Sequence, residues 1–154
     1  MLDDRDHKIL DVLQQDAEIG LTDLADRVHL SASACSRRIA RLKEDGYILR
    51  HVAVLDRNRM NVGSTVYVMI KTAHHTADWL DRFRTSVMDI PEIVEVHRLA
   101  GNLDYIIKMV VTDIAHYDAI YKRLVSRIEL FDVSAYISME TLKDGQAIPT
   151  GYAR

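Results

Sequence analysis

Apolar positions along the first forty-five residues recur at helical spacing. Leu2, Asp6, Ile9, Leu10 and Leu13 fall on one face of a helix that begins near Asp3, which suits an N-cap. In "LTDLADRV", Leu21, Leu24 and Val28 share a face, with Thr22 as a capping candidate and Ala25 small enough for a second helix to cross closely. After the short turn "HLS" a third helix is predicted from about Ala32 to Asp45, with Ser31 as N-cap and Gly46 at the C-terminal position that favours glycine. "YILRHVAVL" is rich in β-branched and aromatic residues and reads as a strand or short hairpin. The polar segment "DRNRMNVGS" has no period and marks a boundary.

The period then changes. "STVYVMIKT" alternates as a strand, and "ADWLDRFRTSVMDI" carries the helical stripe Leu80, Phe83 and Val87 until Pro91 blocks continuation. "EIVEVHRLA" and "DYIIKMVVT" are strands around Gly101-Asn102, a hairpin signal. Ile114, Tyr117, Tyr121, Leu124 and Ile128 mark a second helix, and "VSAYISMETL" alternates again. The order β-α-β-β-α-β is the ferredoxin-like split unit. The fold class expected is α+β, a winged helix-turn-helix followed by that unit. Residues 1–50 form the first domain, 51–63 a strand and linker, and 64–154 the second.

Composition narrows the class. The chain has 154 residues, 48% hydrophobic and 28% charged, which suits a globular protein with a real core. No apolar run approaches the ~20 residues of a membrane span. The acidic start "MLDDRDHKIL" lacks the pattern of a signal peptide, and the single cysteine, Cys35, excludes an internal disulfide, so a cytoplasmic protein without membrane contact is expected.

The net charge of −3 hides a segregation. Residues 1–26 hold eight acids against Arg5 and Lys8, a net of −6, whereas residues 27–59 hold eight bases against three acids, a net of +5. The local field therefore allows a polyanionic partner despite the mildly acidic whole.

On the third helix Cys35, Ile39 and Leu42 point together and inward, while Ala34, Arg37, Arg38 and Arg41 cluster on a separate face. Three helices with a tight turn before the third make a helix-turn-helix, whose third helix enters the major groove of double-stranded DNA. Small residues at its start, Ser31, Ser33 and Ala34, permit close approach to base edges, and the arginines neutralise phosphate or pair with guanine. The inward position of Cys35 makes it a buried core thiol rather than a redox switch. The adjacent His74 and His75 have no further ligands at zinc spacing, His97 and His116 read as hydrogen-bonding residues, and no nucleophile elbow, P-loop or GxGxxG is present. No metal, cofactor or enzymatic activity is expected.

The stretch "LDDRDHKILDVLQQDAEIGLTDLADRVHLSASACSRRIARLKEDGYI" resembles the N-terminal winged helix-turn-helix of the Lrp/AsnC family of bacterial and archaeal transcription regulators. "PEIVEVHRLAGNLDYIIKMVVTD" and "YDAIYKRLV" resemble that family's ligand-binding αβ-sandwich, the RAM domain. The resemblance covers nearly the whole chain. Ser36 stands where many relatives carry an aromatic residue, and "SAY" where they show "SSF" or "TSF".

A split sheet with helices on one face must bury the other, and Thr65, Tyr67 and Met69 are apolar enough for it. Two copies are expected to pack sheet against sheet, spacing two recognition helices by ~34 Å. The resemblance adds assembly into tetramers or octamers. It also implies an amino-acid pocket at the glycine-containing turn. Its candidates are Arg98, Ala100, Gly101, Asp104 and Tyr105, joined by Ser134, Tyr136 and Ser138 of the last strand. Asp104 offers an acceptor for an ammonium, and backbone N–H groups near Gly101 suit a carboxylate. The function expected is sequence-specific transcription regulation in response to a small effector, an amino acid by the family resemblance. The alternative is a ligand-insensitive DNA-binding protein that organises the nucleoid.

Overall fold

A computed structural model of the chain describes residues 1–145 and 147–153. It divides into two compact units, Met1–Val54 with Lys143–Arg154, and Leu55–Leu142.

The first unit holds α1 (Asp4–Gln15), α2 (Leu21–Val28) and α3 (Ala32–Glu44). Its core is Ile9, Leu24, Ala25, Val28, Cys35 and Leu42. Ala25 is buried, as a small residue at a helix crossing should be. Asp3 caps α1 by accepting from the N–H groups of Arg5 and Asp6, and the Asp6 carboxylate accepts from the Asp3 N–H in return. The cap of α2 is Gly20, not Thr22, and no side chain bonds there. Ser31 caps α3 through the Ala34 N–H. The turn between α2 and α3 reverses at His29, which holds a left-handed backbone at φ 54°. Gly46, at φ 78°, follows α3 where only glycine is unstrained.

Residues 47–55 form no strand, contrary to their alternating pattern. A strand needs an edge to pair with, and the only sheet of the described residues is the four-stranded one in the second unit. Leu49, Val52, Val54 and Leu55 are consequently exposed.

The tail also departs from the expected boundaries. The Gln14 side chain donates to the Ile148 carbonyl at 3.0 Å and accepts from its N–H at 2.7 Å, and Thr150 donates to Asp11 at 2.9 Å. Ile148 and Thr150 therefore close on α1, and the chain passes between the units twice.

The second unit follows the order β1 (Ser64–Lys71), α4 (Ala77–Met88), β2 (Ile93–Arg98), β3 (Tyr105–Val111), α5 (Ile114–Val125), β4 (Asp132–Ile137). Its antiparallel sheet runs β2-β3-β1-β4, the ferredoxin-like arrangement. One face carries Val66, Val68, Ile70, Ile107 and Met109 against Trp79, Phe83, Ile120 and Leu124 of the helices. β3 alternates buried and half-buried residues along its whole length, so the other face has no helix over it. No helix among the described residues is long and apolar enough to cross a membrane.

Removal of residues 143–154 is expected to lower the unfolding free energy of the first unit by about 1–2 kcal/mol, from the lost tail hydrogen bonds. The transition of the second unit should stay in place. Thermal unfolding followed by near-UV circular dichroism checks this, with a shift confined to the second unit as the contrary result.

Candidate functional site

The α3 face expected to meet DNA is only partly free. Ser31, Ser33, Ser36 and Arg37 are exposed and Ala34 is half-buried. The Ser31 and Ser33 hydroxyls lie 3.2 Å apart. Arg38 instead turns back onto α1, donating to both Asp3 oxygens at 2.8 and 2.9 Å and to Asp6 at 2.7 Å. Arg41 bonds the other Asp6 oxygen at 2.5 Å. Asp6 is 1% exposed, so this carboxylate is closed off between two guanidinium groups. Arg5 donates to the carbonyls of Val28 and His29, fixing the end of α2 beside them.

The electrostatics follow the contacts. Asp3 is held down to about 2, first by the Asp6 N–H and then by Arg38. Burial pushes Asp6 upward, but the Arg38 guanidinium and the Asp3 N–H outweigh it and the net shift is downward. The Asp6 and Asp3 carboxylates raise Arg38. Burial raises the Cys35 thiol, in keeping with a core residue.

The effector candidates separate into three places. Ala100 and Gly101 lie exposed in the loop 99–104, which is longer than a two-residue hairpin, with Gly101 at φ 148°. The loop closes through the Leu99 N–H to the Asp104 carbonyl at 2.8 Å and the Asp104 N–H to the Ile70 carbonyl at 2.9 Å. One Asp104 side-chain oxygen accepts from the Thr72 N–H at 2.8 Å, which joins the loop to the end of β1. Arg98 and Tyr105 pair across β2 and β3, and Tyr105 is 7% exposed with its ring 4.6 Å from Phe83 and 5.9 Å from Trp79. Ser134, Tyr136 and Ser138 belong to β4 or its end, across the sheet from β2 with β3 and β1 between. The loop bonds Ile70 of β1, which pairs with Val133 of β4, so Ser134 lies toward the loop's end of the sheet while Tyr136 and Ser138 run away from it along β1.

Sequence reasoning missed the α1–α3 clamp. Its signal was Asp6, an acid within an otherwise apolar helical stripe, where a charge needs a partner.

Comparison with known proteins matches this two-part architecture. Residues 2–48 fit the winged helix-turn-helix DNA-binding family, and residues 65–148 fit the Lrp/AsnC ligand binding domain. The chain belongs to the Lrp/AsnC family of transcription regulators. It is 51% identical to the HTH-type transcriptional regulator Zrp of Zymomonas mobilis, over 99% of each chain. An AsnC family transcriptional regulator from Agrobacterium tumefaciens superposes with a TM-score of 0.95 at 45% identity, covering 99% of this chain and 100% of that one. A transcriptional regulator from Neisseria meningitidis in complex with L-Met gives 0.93 at 27% identity, covering 98% of both chains. The chain is thus a DNA-binding regulator with a ligand-binding domain, not an enzyme.

Arg38→Ala is expected to destabilise the first unit by about 2–3 kcal/mol. That is less than the ~3–5 kcal/mol of breaking a fully buried pair, because Arg38 is 26% exposed and Arg41 still reaches Asp6. Depressed carboxylates stabilise fully above their ordinary pKa and less as pH falls through the folded value. The Asp3 contribution is therefore complete above about pH 4 and lost toward pH 2. Denaturant titrations between pH 5 and 2 should show a shallower acid loss for Asp3→Asn than for the wild type. Equal slopes would contradict the assignment.

Proposed function

We propose that the chain binds operator DNA as a dimer through α3 and that an amino acid regulates it. The observation that carries the DNA reading is the division of labour on α3. Arg38 and Arg41 are engaged by α1, whereas Arg37, Ser33 and Ser36 face outward from a helix whose orientation those internal contacts fix. Arg37 supplies a guanidinium for phosphate or guanine, and the serines approach base edges. Two copies packed through the helix-free sheet face present two such helices to successive major grooves. Such dimers then assemble into tetramers or octamers.

The effector reading rests on the loop 99–104 and on the L-Met bound to the Neisseria regulator. Asp104 keeps one carboxylate oxygen after bonding Thr72, and that oxygen receives a ligand ammonium. Backbone N–H groups around Gly101 receive the carboxylate. Because β4 runs along β1 away from the loop, Ser134, Tyr136 and Ser138 complete this site from a second copy. Arg98 and Tyr105 stand at its border.

Footprinting on DNA upstream of the chain's own and neighbouring genes tests the first claim. Arg37→Ala should weaken binding roughly tenfold if it pairs with guanine, or lower the salt slope by about one if it meets phosphate. Unchanged affinity and slope would remove α3 from the interface. For the effector, a ligand at a hundredfold excess over Kd stabilises the folded oligomer by about 2.7 kcal/mol. Thermal melts against the twenty amino acids should show one or a few upward shifts in the wild type that Asp104→Asn abolishes while operator binding persists. A shift surviving in a folded Asp104→Asn protein moves the pocket, and none in the wild type favours the ligand-insensitive architectural reading.

A further inference from the structure

β2 is an edge strand, and α4 leaves a trough open beside it. The walls are Leu80, Phe83 and Val87 of α4 and Ile90 after it on one side, and Ile93 and Val96 on the other. The volume is about 560 Å³, within the ~300–1,000 Å³ of small-molecule sites. A recess of about 270 Å³ beside His74 and His75 shares Leu80, Arg98 and Tyr105 with it, so Arg98 stands where the two meet. Tyr105 packs at a tilt against Phe83 and Trp79, whose own rings stack, and this aromatic cluster underlies the trough.

Charge at the mouth selects the ligand. Glu95 is neutralised by Lys108 at 2.8 Å, with His97 at 3.5 Å, and Arg84 faces Asp81 at 3.5 Å. The Arg98 guanidinium has no ion pair or side-chain hydrogen bond among the described residues. Apolar walls ending at one uncommitted guanidinium fit a molecule with an apolar body and a single carboxylate. An ammonium finds no partner, since the one carboxylate lining the trough is already engaged.

We propose that this trough binds a small apolar monocarboxylate, with its tail along Leu80, Phe83 and Val87 and its carboxylate on Arg98. The trough shares Arg98 and Tyr105 with the border of the amino-acid site, but Asp104 does not line it.

The test is calorimetric titration of the full chain with 4-methylpentanoate and 3-phenylpropanoate, and with 4-methylpentan-1-ol and leucine as controls. Both carboxylates should bind saturably, at least tenfold tighter than the alcohol. Arg98→Gln, at an exposed position, should weaken them at least tenfold and erase the preference over the alcohol. Val94→Trp, which crowds the trough from an exposed site, should weaken carboxylates and alcohol alike. Asp104→Asn should change carboxylate binding less than twofold, whatever it does to the response to leucine. Saturable binding absent for both carboxylates, an alcohol equal to its acid, unaltered affinity in Arg98→Gln, or joint loss of leucine and carboxylate binding in Asp104→Asn would each overturn the proposal.

Discussion

The Asp6 carboxylate, shut away from water between Arg38 and Arg41, is the contact on which the geometry of the DNA-binding unit depends. A buried carboxylate left alone is costly, so α1 and α3 are stable together only with both partners in place. Around it the same few residues settle the rest. Asp3 caps α1 and takes Arg38, while Arg5 holds the last carbonyls of α2. Three helices too short to persist alone are thereby fixed in one arrangement. The segregation of acids before bases in the sequence is partly internal complementarity and only partly a field for DNA. What remains outward on α3, chiefly Arg37 and the serines, is the part of the helix that the proposed DNA reading uses.

The second unit obeys a different constraint. Its sheet has helices on one face, so the half-buried residues of the other face require a further layer, and a second copy supplies it in the reading given above. Its edge strand β2 is only incompletely covered by α4, which leaves the trough beside Arg98. Loop 99–104 is tied to the end of β1, and β4 runs along the far side of β1; in the reading proposed above, a second copy joins these two parts of the effector candidates. The chain passes twice between the units, and its tail is clasped by Gln14 on α1.

Much of this was legible from periodicity. Every helix and strand of the described residues, apart from the short turn at Thr150–Tyr152, lies where apolar spacing places one. The exceptions have physical causes. Residues 47–55 alternate like a strand, but alternation states only that one face prefers burial, and a strand without a neighbour does not form. Thr22 has capping chemistry, yet the helix starts two residues too early to use it. Arg38 looked like a DNA contact because three arginines share a helix face. Which of them α1 would claim is a matter of tertiary distance, hinted at only by Asp6 in an apolar stripe. Strand alternation turns Tyr105 toward Phe83, a contact that its place beside Asp104 in the sequence does not show. The family match then gives meaning to both halves at once.

The central claim is that the clamp orients α3 and leaves Arg37 to meet DNA. A double-mutant cycle on Asp6→Asn and Arg38→Gln, read by denaturant unfolding of the full chain, tests it most directly. The account predicts a coupling free energy of about 1–3 kcal/mol, with operator affinity falling only as far as the folded fraction falls. Coupling near zero, together with lost operator affinity in a fully folded Arg38→Gln protein, would contradict it and make Arg38 itself a DNA contact.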